Sequence, residues 1–162
     1  MKKSLLAQLA THLEAELSAL KSAAAAAHDA ATHSENKPEN KYDTRGLEAS
    51  YLAGAQEARA SQLQVALDLL KGTIPRTFSS RDAVDLTALV ELSSDDSSSW
   101  YFLVQVAGGY MLHIGSEDIH QPVLSLTPQT PLGRALAGKR IGDEVIVRTD
   151  KGEKEYEIVR LV

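Results

Sequence analysis

The fold is decided by the segment Ser34-Glu35-Asn36-Lys37-Pro38-Glu39-Asn40-Lys41-Tyr42-Asp43-Thr44-Arg45-Gly46. This segment is polar and charged, and it separates two runs rich in alanine and leucine, residues 2–32 and residues 47–71. Both runs have the composition of helices. Because two long helices joined by a short connection fold back on each other, the sequence predicts an antiparallel coiled-coil hairpin over residues 1–73, with an acidic tip at residues 34–46.

In the first run, apolar side chains recur at intervals of three and four residues, which places them on one face of a helix. Leucines form this face near the start and alanines form it further along: Leu6, Leu9, Leu13, Leu17, Leu20, Ala24, Ala27 and Ala31. The second helix is predicted to begin with Asn36 as its N-cap and to end at Lys71-Gly72. Its inward face is predicted to consist of Leu47, Tyr51, Ala55, Ala58, Gln62, Val65 or Ala66, and Leu69.

Beyond Pro75 the apolar pattern changes to alternation with a period of two, which is typical of β-strands. Strands are predicted at residues 84–92, 100–106, 110–114, 145–148 and 156–161, with a serine-rich turn at 93–99, a glycine turn at Gly108-Gly109 and a short helix at 132–136. Residues 74–162 are therefore predicted to form a mostly antiparallel β-sheet domain with one helix, and the whole chain is predicted to be α+β.

Composition narrows the classes of function. The chain has no cysteine, so it can form neither a disulfide nor a thiolate site. The histidines show no pair at i,i+4, which argues against a catalytic zinc site. The net charge is −5, and acidic residues outnumber basic residues both before and after Gly72. Neither half therefore predicts autonomous binding to nucleic acid, and a protein partner is favoured.

The first residues, Met1-Lys2-Lys3, have the basic character of a signal peptide, but His12, Glu14 and Glu16 interrupt the apolar run that would have to follow. No stretch approaches the roughly 18–20 apolar residues that a membrane span needs. A cytoplasmic protein without membrane contact is predicted.

The C-terminal part contains Thr130-Pro131-Leu132-Gly133-Arg134-Ala135-Leu136-Ala137-Gly138-Lys139, followed by Gly142-Asp143-Glu144 and a terminal hairpin. This run resembles the C-terminal domain of the Gre transcription elongation factors, a domain with an FKBP-like fold. The other half of these factors is an N-terminal antiparallel coiled coil with an acidic tip. The resemblance therefore covers almost the whole chain, in the same order.

The resemblance implies that the partner is RNA polymerase. The C-terminal domain would dock beside the secondary channel of the polymerase, and the coiled coil would enter that channel. Tip carboxylates would then help to hold a second Mg²⁺, shared with the polymerase, and position water for cleavage of backtracked RNA. The protein would be an accessory factor rather than an enzyme, with no intrinsic cofactor and no autonomous DNA binding. It would meet the RNA 3′ end only inside the polymerase complex.

The tip of the family reads Asp, two residues, then Glu-Asn. Glu39-Asn40 matches the second part of this pattern, whereas Asn36 stands where the family has its aspartate. Asp43 follows Glu39 by four residues, which on a helix brings the two Cβ atoms to roughly 5–6 Å. The predicted tip acids are Glu35, Glu39 and Asp43, with Glu39 and Asp43 as the ligands of a shared Mg²⁺. The predicted supporting residues are Asn36, Asn40, Lys41 and Arg45, and the predicted docking residues are Pro131, Gly133 and Arg134.

Three alternatives remain at this stage. The protein could occupy the channel without supporting cleavage. It could be an FKBP-like prolyl isomerase or chaperone, although that chemistry needs an apolar, aromatic-lined pocket and the aromatic residues are concentrated in Trp100-Tyr101-Phe102. It could also be a helical-hairpin scaffold unrelated to polymerase, in which the tip acids only favour the helix dipole.

Overall fold

A computed structural model describes residues 1–32, 45–94, 97–115, 119, 121–149 and 152–162. Two long helices come first, and a sheet with one short helix follows, which confirms the predicted α+β class. The helices are α1 (Lys2–Thr32), α2 (Arg45–Lys71) and α3 (Pro131–Leu136), and the strands are β1 (Leu89–Ser94), β2 (Ser97–Leu103), β3 (Met111–Leu112), β4 (Val123–Leu126), β5 (Glu144–Thr149) and β6 (Gly152–Leu161).

The chain divides into two compact units, which we describe separately. One unit is Ala10–Asp68, and the other combines Met1–Leu9 with Leu69–Val162. The sequence-based division between residues 73 and 74 is drawn where the helices end, and it stays a prediction about domain organisation.

The first unit is a pair of long helices. With 31 residues, α1 has a length of roughly 46 Å at 1.5 Å per residue. The residues that α1 buries follow the predicted face, namely Leu13, Leu17, Ala24 and Ala27 in this unit. Residues 21–28 of α1 and residues 57–64 of α2 line a common groove of about 740 Å³. One segment precedes the connection and the other follows it, as expected for two helices of a hairpin that pack side by side.

The predicted inward face of α2 is wrong. Leu47, Tyr51 and Val65 are 56%, 71% and 60% exposed, and the other positions of that face, Ala55, Ala58, Gln62 and Leu69, are exposed as well. The buried residues lie on nearly the opposite side of the helix: Ala53, Ala60, Leu67 and Leu70. The buried residues recur at intervals of seven and three residues, which is also a helical spacing, so spacing alone does not distinguish the two sides of α2. The first two buried positions of α2 are the alanines Ala53 and Ala60, and the buried positions in the distal part of α1 are likewise alanines, Ala24 and Ala27.

The second unit is built on one six-stranded sheet with the order β3-β4-β2-β1-β6-β5. Its strand pairs are antiparallel except β2 and β4, which run parallel. One face carries a core that includes Val90, Leu92, Val145 and Ile158 beneath α3. Strand β1 begins later than predicted, and β2 begins earlier, because Ser94 already pairs with Ser97. The serine-rich segment is therefore mostly strand rather than turn.

The strand that follows the predicted glycine turn, β3, does not pair with β2. Strand β4, which the sequence analysis missed, lies between β2 and β3. Ser125 of β4 is fully buried, and its Oγ donates to the Ala107 carbonyl at 2.7 Å and accepts from the Tyr110 N–H at 2.9 Å. This serine binds the turn to β4. The four-residue length of β4 and its serine explain why no alternating pattern indicated it.

The first two turns of α1 belong to the same unit as the sheet. Leu5 and Leu9 are fully buried, and the Gln8 side chain forms two hydrogen bonds with the backbone of His113, at 2.7 Å and 2.9 Å. The Lys2 ammonium donates to the Arg76 carbonyl at 2.7 Å and lies 4.5 Å from the centre of the Phe78 ring. Burial, with a smaller effect of the Arg76 charge, lowers the pKa of Lys2 to about 8.

Among the described residues, no helix combines the length and the apolar character that crossing a membrane requires.

The position of the buried face of α2 can be tested by alanine substitutions at two positions that are two residues apart. We expect Leu67→Ala to lower the free energy of unfolding by about 2–5 kcal/mol, because Leu67 is buried and its loss leaves a cavity. Val65→Ala, at an exposed position, should change it by about 0.5 kcal/mol or less. Denaturant titration of both variants measures the difference. Equal or reversed effects would show that the buried face has been placed incorrectly.

Candidate functional site

The predicted tip residues lie between the two long helices in the sequence. α1 ends at Thr32 and α2 begins at Arg45, so all of the predicted tip except Arg45 and Gly46 falls in residues 33–44, outside the described residues. The metal-sharing, acidic and supporting roles proposed for this segment therefore stay predictions. They concern Glu35, Asn36, Glu39, Asn40, Lys41 and Asp43.

The predicted docking residues lie on α3, and their local structure is described. Thr130 caps this helix: its Oγ1 accepts from the Gly133 N–H at 3.1 Å and donates to the Thr127 carbonyl at 2.8 Å. Pro131 occupies the first turn, where a missing N–H has no cost. Leu136, the last residue of α3, is fully buried and anchors this end of the helix in the core. Pro131 and Arg134 remain exposed.

Gly133 is buried, and its role follows from a close backbone contact. A Cβ atom at this position would lie 2.1 Å from the carbonyl oxygen of Thr127 and 2.9 Å from the Thr130 Oγ1. No side chain fits in that space, because carbon atoms pack at roughly 3.5–4.0 Å. Gly133 therefore allows α3 to pack closely against the Thr127 carbonyl, with Pro131 and Arg134 exposed on either side of it. Gly133 itself is buried and offers no contact surface.

Arg134 belongs to a larger group of exposed cations, which we call the α3 basic surface: Arg81, Arg134, Lys139 and Arg140. Segment 81–84 reaches α3 because Val84 exchanges backbone hydrogen bonds with Gly138 and Lys139, at 2.8 Å and 2.7 Å. The Arg140 guanidinium donates to the carbonyl of Arg81.

Two acids lie within the α3 basic surface, and both form local hydrogen bonds. Asp143 accepts from the Arg140 N–H at 2.8 Å. The backbone N–H of Ser79, followed by its hydroxyl, lowers the pKa of Asp82 below its usual value. Both carboxylates thus help to order the loops, and the four cations of the surface remain exposed.

The sequence analysis identified only Arg134 among these cations. The adjacent pair Lys139-Arg140 was visible in the motif and could have been added. Arg81 could not, because it lies 59 residues from its contact with Arg140 and no local pattern indicates that contact.

A cleft on the β-rich unit bears on the prolyl-isomerase alternative. This cleft of about 550 Å³ is lined mainly by serines and charged residues, with two tyrosines: Ser94, Ser97, Ser99, Tyr101, Glu153, Lys154, Glu155 and Tyr156. Burial, and then the proximity of Tyr156, raises the pKa of the Tyr101 phenol. A prolyl peptide needs an apolar pocket, which this polar cleft does not offer.

Comparison with known proteins defines the class to which this arrangement belongs. Residues 114–161 match a family model described as "Transcription elongation factor, GreA/GreB, C-term". The chain is 30% identical over 121 residues to the "Transcription inhibitor protein Gfh1" of Thermus thermophilus, a match that covers 74% of this chain and 72% of that protein. It is 33% identical over 107 residues to the "Transcription elongation factor GreA" of a Jannaschia species, covering 65% and 61% of the two chains.

A solved structure of Thermus thermophilus Gfh1, the GreA factor homolog 1, aligns with 99% of this chain and 96% of its own length. The sequence identity is 25% and the TM-score is 0.38.

The family model and the relatives matched by sequence are all described as transcription factors. The chain belongs to the GreA/GreB family of transcription elongation factors.

The close approach at Gly133 generates a prediction about the docking turn. Gly133→Ala should lower the free energy of unfolding by about 1–3 kcal/mol, because the methyl group would overlap the Thr127 carbonyl. Gly54→Ala is the matched control: it lies inside α2 with nothing within 4 Å of its Cβ position, so it should stabilise the protein by about 0.5–1 kcal/mol. Thermal and denaturant unfolding of both variants checks this. A stable Gly133→Ala protein would contradict the described turn.

Proposed function

We propose that this protein binds RNA polymerase through the α3 basic surface and inserts the tip of its helical hairpin into the secondary channel. Membership of the GreA/GreB family carries this proposal. The lengths of α1 and α2, 31 and 27 residues, support it, because at 1.5 Å per residue these helices extend roughly 46 Å and 40 Å.

Within that function, we propose that the protein modulates transcription by occupying the channel without supporting RNA cleavage. Two observations favour this version over cleavage. Asn36 is uncharged where the family has an aspartate, and an amide is a weaker Mg²⁺ ligand than a carboxylate. In addition, a relative matched over 74% of the chain is named a transcription inhibitor.

Cleavage support is the second candidate function, and it rests on the acids that remain. Glu39 and Asp43 are spaced to face the same side of a helix, and Glu35 is adjacent to Asn36. If these residues held a Mg²⁺ shared with the polymerase, the ion would activate a water for attack on the RNA phosphate.

Binding to polymerase is tested by reversing one charge on the α3 basic surface. We expect the protein to bind core RNA polymerase at micromolar concentration. Arg134→Glu should weaken binding by roughly tenfold, equivalent to ~1.4 kcal/mol, because a carboxylate would face an acidic docking site. Arg148→Glu makes the same charge change at an exposed position on β5 and should leave binding unchanged. Failure of the wild-type protein to bind, while an authentic GreA binds in parallel, would refute the proposed function.

The choice between the two mechanisms is tested in a backtracked elongation complex supplied with Mg²⁺. We expect the wild-type protein to leave the RNA 3′ end intact. Asn36→Asp should produce shortened RNA about tenfold faster than Asn36→Ala, equivalent to ~1.4 kcal/mol of barrier, because it restores a carboxylate. Shortening by the wild-type protein that disappears in the Glu39→Ala/Asp43→Ala double variant would instead establish cleavage support.

A further inference from the structure

Strand β5 forms one edge of the six-stranded sheet, and its outer side pairs with no other described strand. Just before β5, the backbone carbonyl of Asp143 accepts a hydrogen bond from the Ile158 N–H of β6, at 3.1 Å. Because backbone groups point to alternate sides along a strand, those of Glu144, Ile146 and Arg148 point away from β6. We call these three residues the β5 edge. Within the described part of the chain, no hydrogen bond uses their outward N–H and C=O groups.

The β5 edge lacks the features that usually prevent a strand from pairing with another chain. Sheet edges are commonly protected by very short strands, by lysine or proline, or by a bulge. The strand at the opposite edge, β3, has only two residues. In contrast, β5 has six residues without lysine or proline, and its register with β6 is regular throughout. Ile146, near its centre, is 52% exposed, so β5 presents an apolar side chain beside backbone groups that are open to pairing.

We propose that the β5 edge pairs with the β5 edge of a second copy of this chain, with the two strands antiparallel and a two-fold axis at Ile146. That axis places Glu144 opposite Arg148 of the second copy, and Arg148 opposite Glu144 of the second copy. The two Ile146 side chains then face each other on the axis. All three residues direct their backbone groups toward the other strand, so each pair exchanges two hydrogen bonds, about six in all. The contact is isologous, as a two-fold dimer requires.

The order of the charges along β5 selects this register. A shift of two residues in either direction places one charged residue opposite Ile146 and the other opposite a position beyond the strand. A shift of one residue sets outward backbone groups against inward ones. Within one chain, Glu144 lies directly opposite Glu157 of β6, and like charges in this arrangement are unfavourable. Arg148 of the second copy lies on the other side of Glu144 and offsets that repulsion.

The charges also identify the occupant of the edge. Any extended segment could satisfy the outward backbone groups. Only a segment with an anion and a cation four residues apart, and an apolar residue midway between them, complements the side chains as well. β5 itself has this pattern in the sequence Glu-Val-Ile-Val-Arg. Antiparallel pairing reverses its order, so a second copy of β5 is the partner that the edge fits.

Arg148 can bind carboxylates on both of its sides. Its Nε donates to Glu153 of β6 in the same chain, and its side chain is 85% exposed. A guanidinium has five N–H donors, so the remaining ones are available to Glu144 of the second copy. The contact is much smaller than a standard interface, and we expect a dissociation constant of roughly 100 µM. The chain is then mostly monomeric at the lower concentrations at which polymerase binding is measured.

The dimer does not depend on the proposed function, and sedimentation equilibrium of the isolated protein into the high-micromolar range measures it. Glu144→Arg and Arg148→Glu should each weaken self-association by roughly tenfold or more, because like charges then face each other at both ends of the contact. An equimolar mixture of these two variants should associate as the wild type does, since each chain supplies the charges that the other needs. Arg59→Glu makes the same reversal at an exposed position on α2 and should leave self-association unchanged.

The register is tested by disulfide trapping, which is clean because the chain contains no cysteine. Ile146→Cys chains should form a linked dimer on mild oxidation, because the Cα atoms of such a pair lie about 5.5 Å apart, within the range of a disulfide. Glu155→Cys is the matched control, since Glu155 lies opposite Ile146 on β6. Its two copies would be three strand spacings apart, about 14 Å, and should not be linked.

Four results would overturn the proposal. One is a wild-type protein that stays monomeric over the whole range. The second is a mixture of Glu144→Arg and Arg148→Glu chains that does not associate, although both variants have the circular dichroism of the wild type. The third is linkage of Glu155→Cys chains as readily as Ile146→Cys chains. The fourth is loss of polymerase binding in Glu144→Arg, because the edge would then serve that partner.

Discussion

Burial of the start of α1 is the constraint on which the second unit depends. Leu5 and Leu9 are removed entirely from solvent, and Gln8 satisfies both backbone groups of His113 with one side-chain amide. These contacts join residues more than 100 positions apart in the sequence. Because each fully buried leucine contributes on the order of 2 kcal/mol, the sheet and the first turns of α1 must fold together, although a helix and a sheet could each be drawn separately from the sequence.

The alanine-rich part of α1 follows a different physical rule. Ala24 and Ala27 of α1 and Ala53 and Ala60 of α2 are the buried residues there. Four methyl groups bury little area, so this part of the pair gains little free energy per residue compared with the leucine-rich part nearer the base. What small side chains provide is a thin cross-section, since the helix axes can approach closely.

Much of the fold could be predicted from the sequence, and the failures have identifiable causes. The pattern of α1 was unambiguous because only one of its faces is apolar. α2 has apolar residues at helical spacings on two sides, so periodicity alone could not choose between them. β4 was missed because Ser125 interrupts its apolar pattern. That serine can be buried because its hydroxyl forms hydrogen bonds with the Ala107 carbonyl and the Tyr110 N–H. No local pattern in the sequence predicts those hydrogen-bond partners.

The candidate site shows the same division between local and distant causes. The cap at Thr130 and the proline after it are local signals, and they placed α3 correctly. Gly133 is required by the Thr127 carbonyl, a contact visible only in three dimensions, and Arg81 joins the α3 basic surface through an equally distant contact.

The two faces of α2 differ in what they contact. The inner face carries Ala53 and Ala60, whose small side chains are buried and let paired helix axes approach closely. The outer face carries Leu47, Tyr51 and Val65, each more than half exposed. Because packing against α1 does not constrain these three positions, their helical spacing does not report a contact inside the hairpin, and for that reason the apolar pattern of α2 pointed to the wrong face.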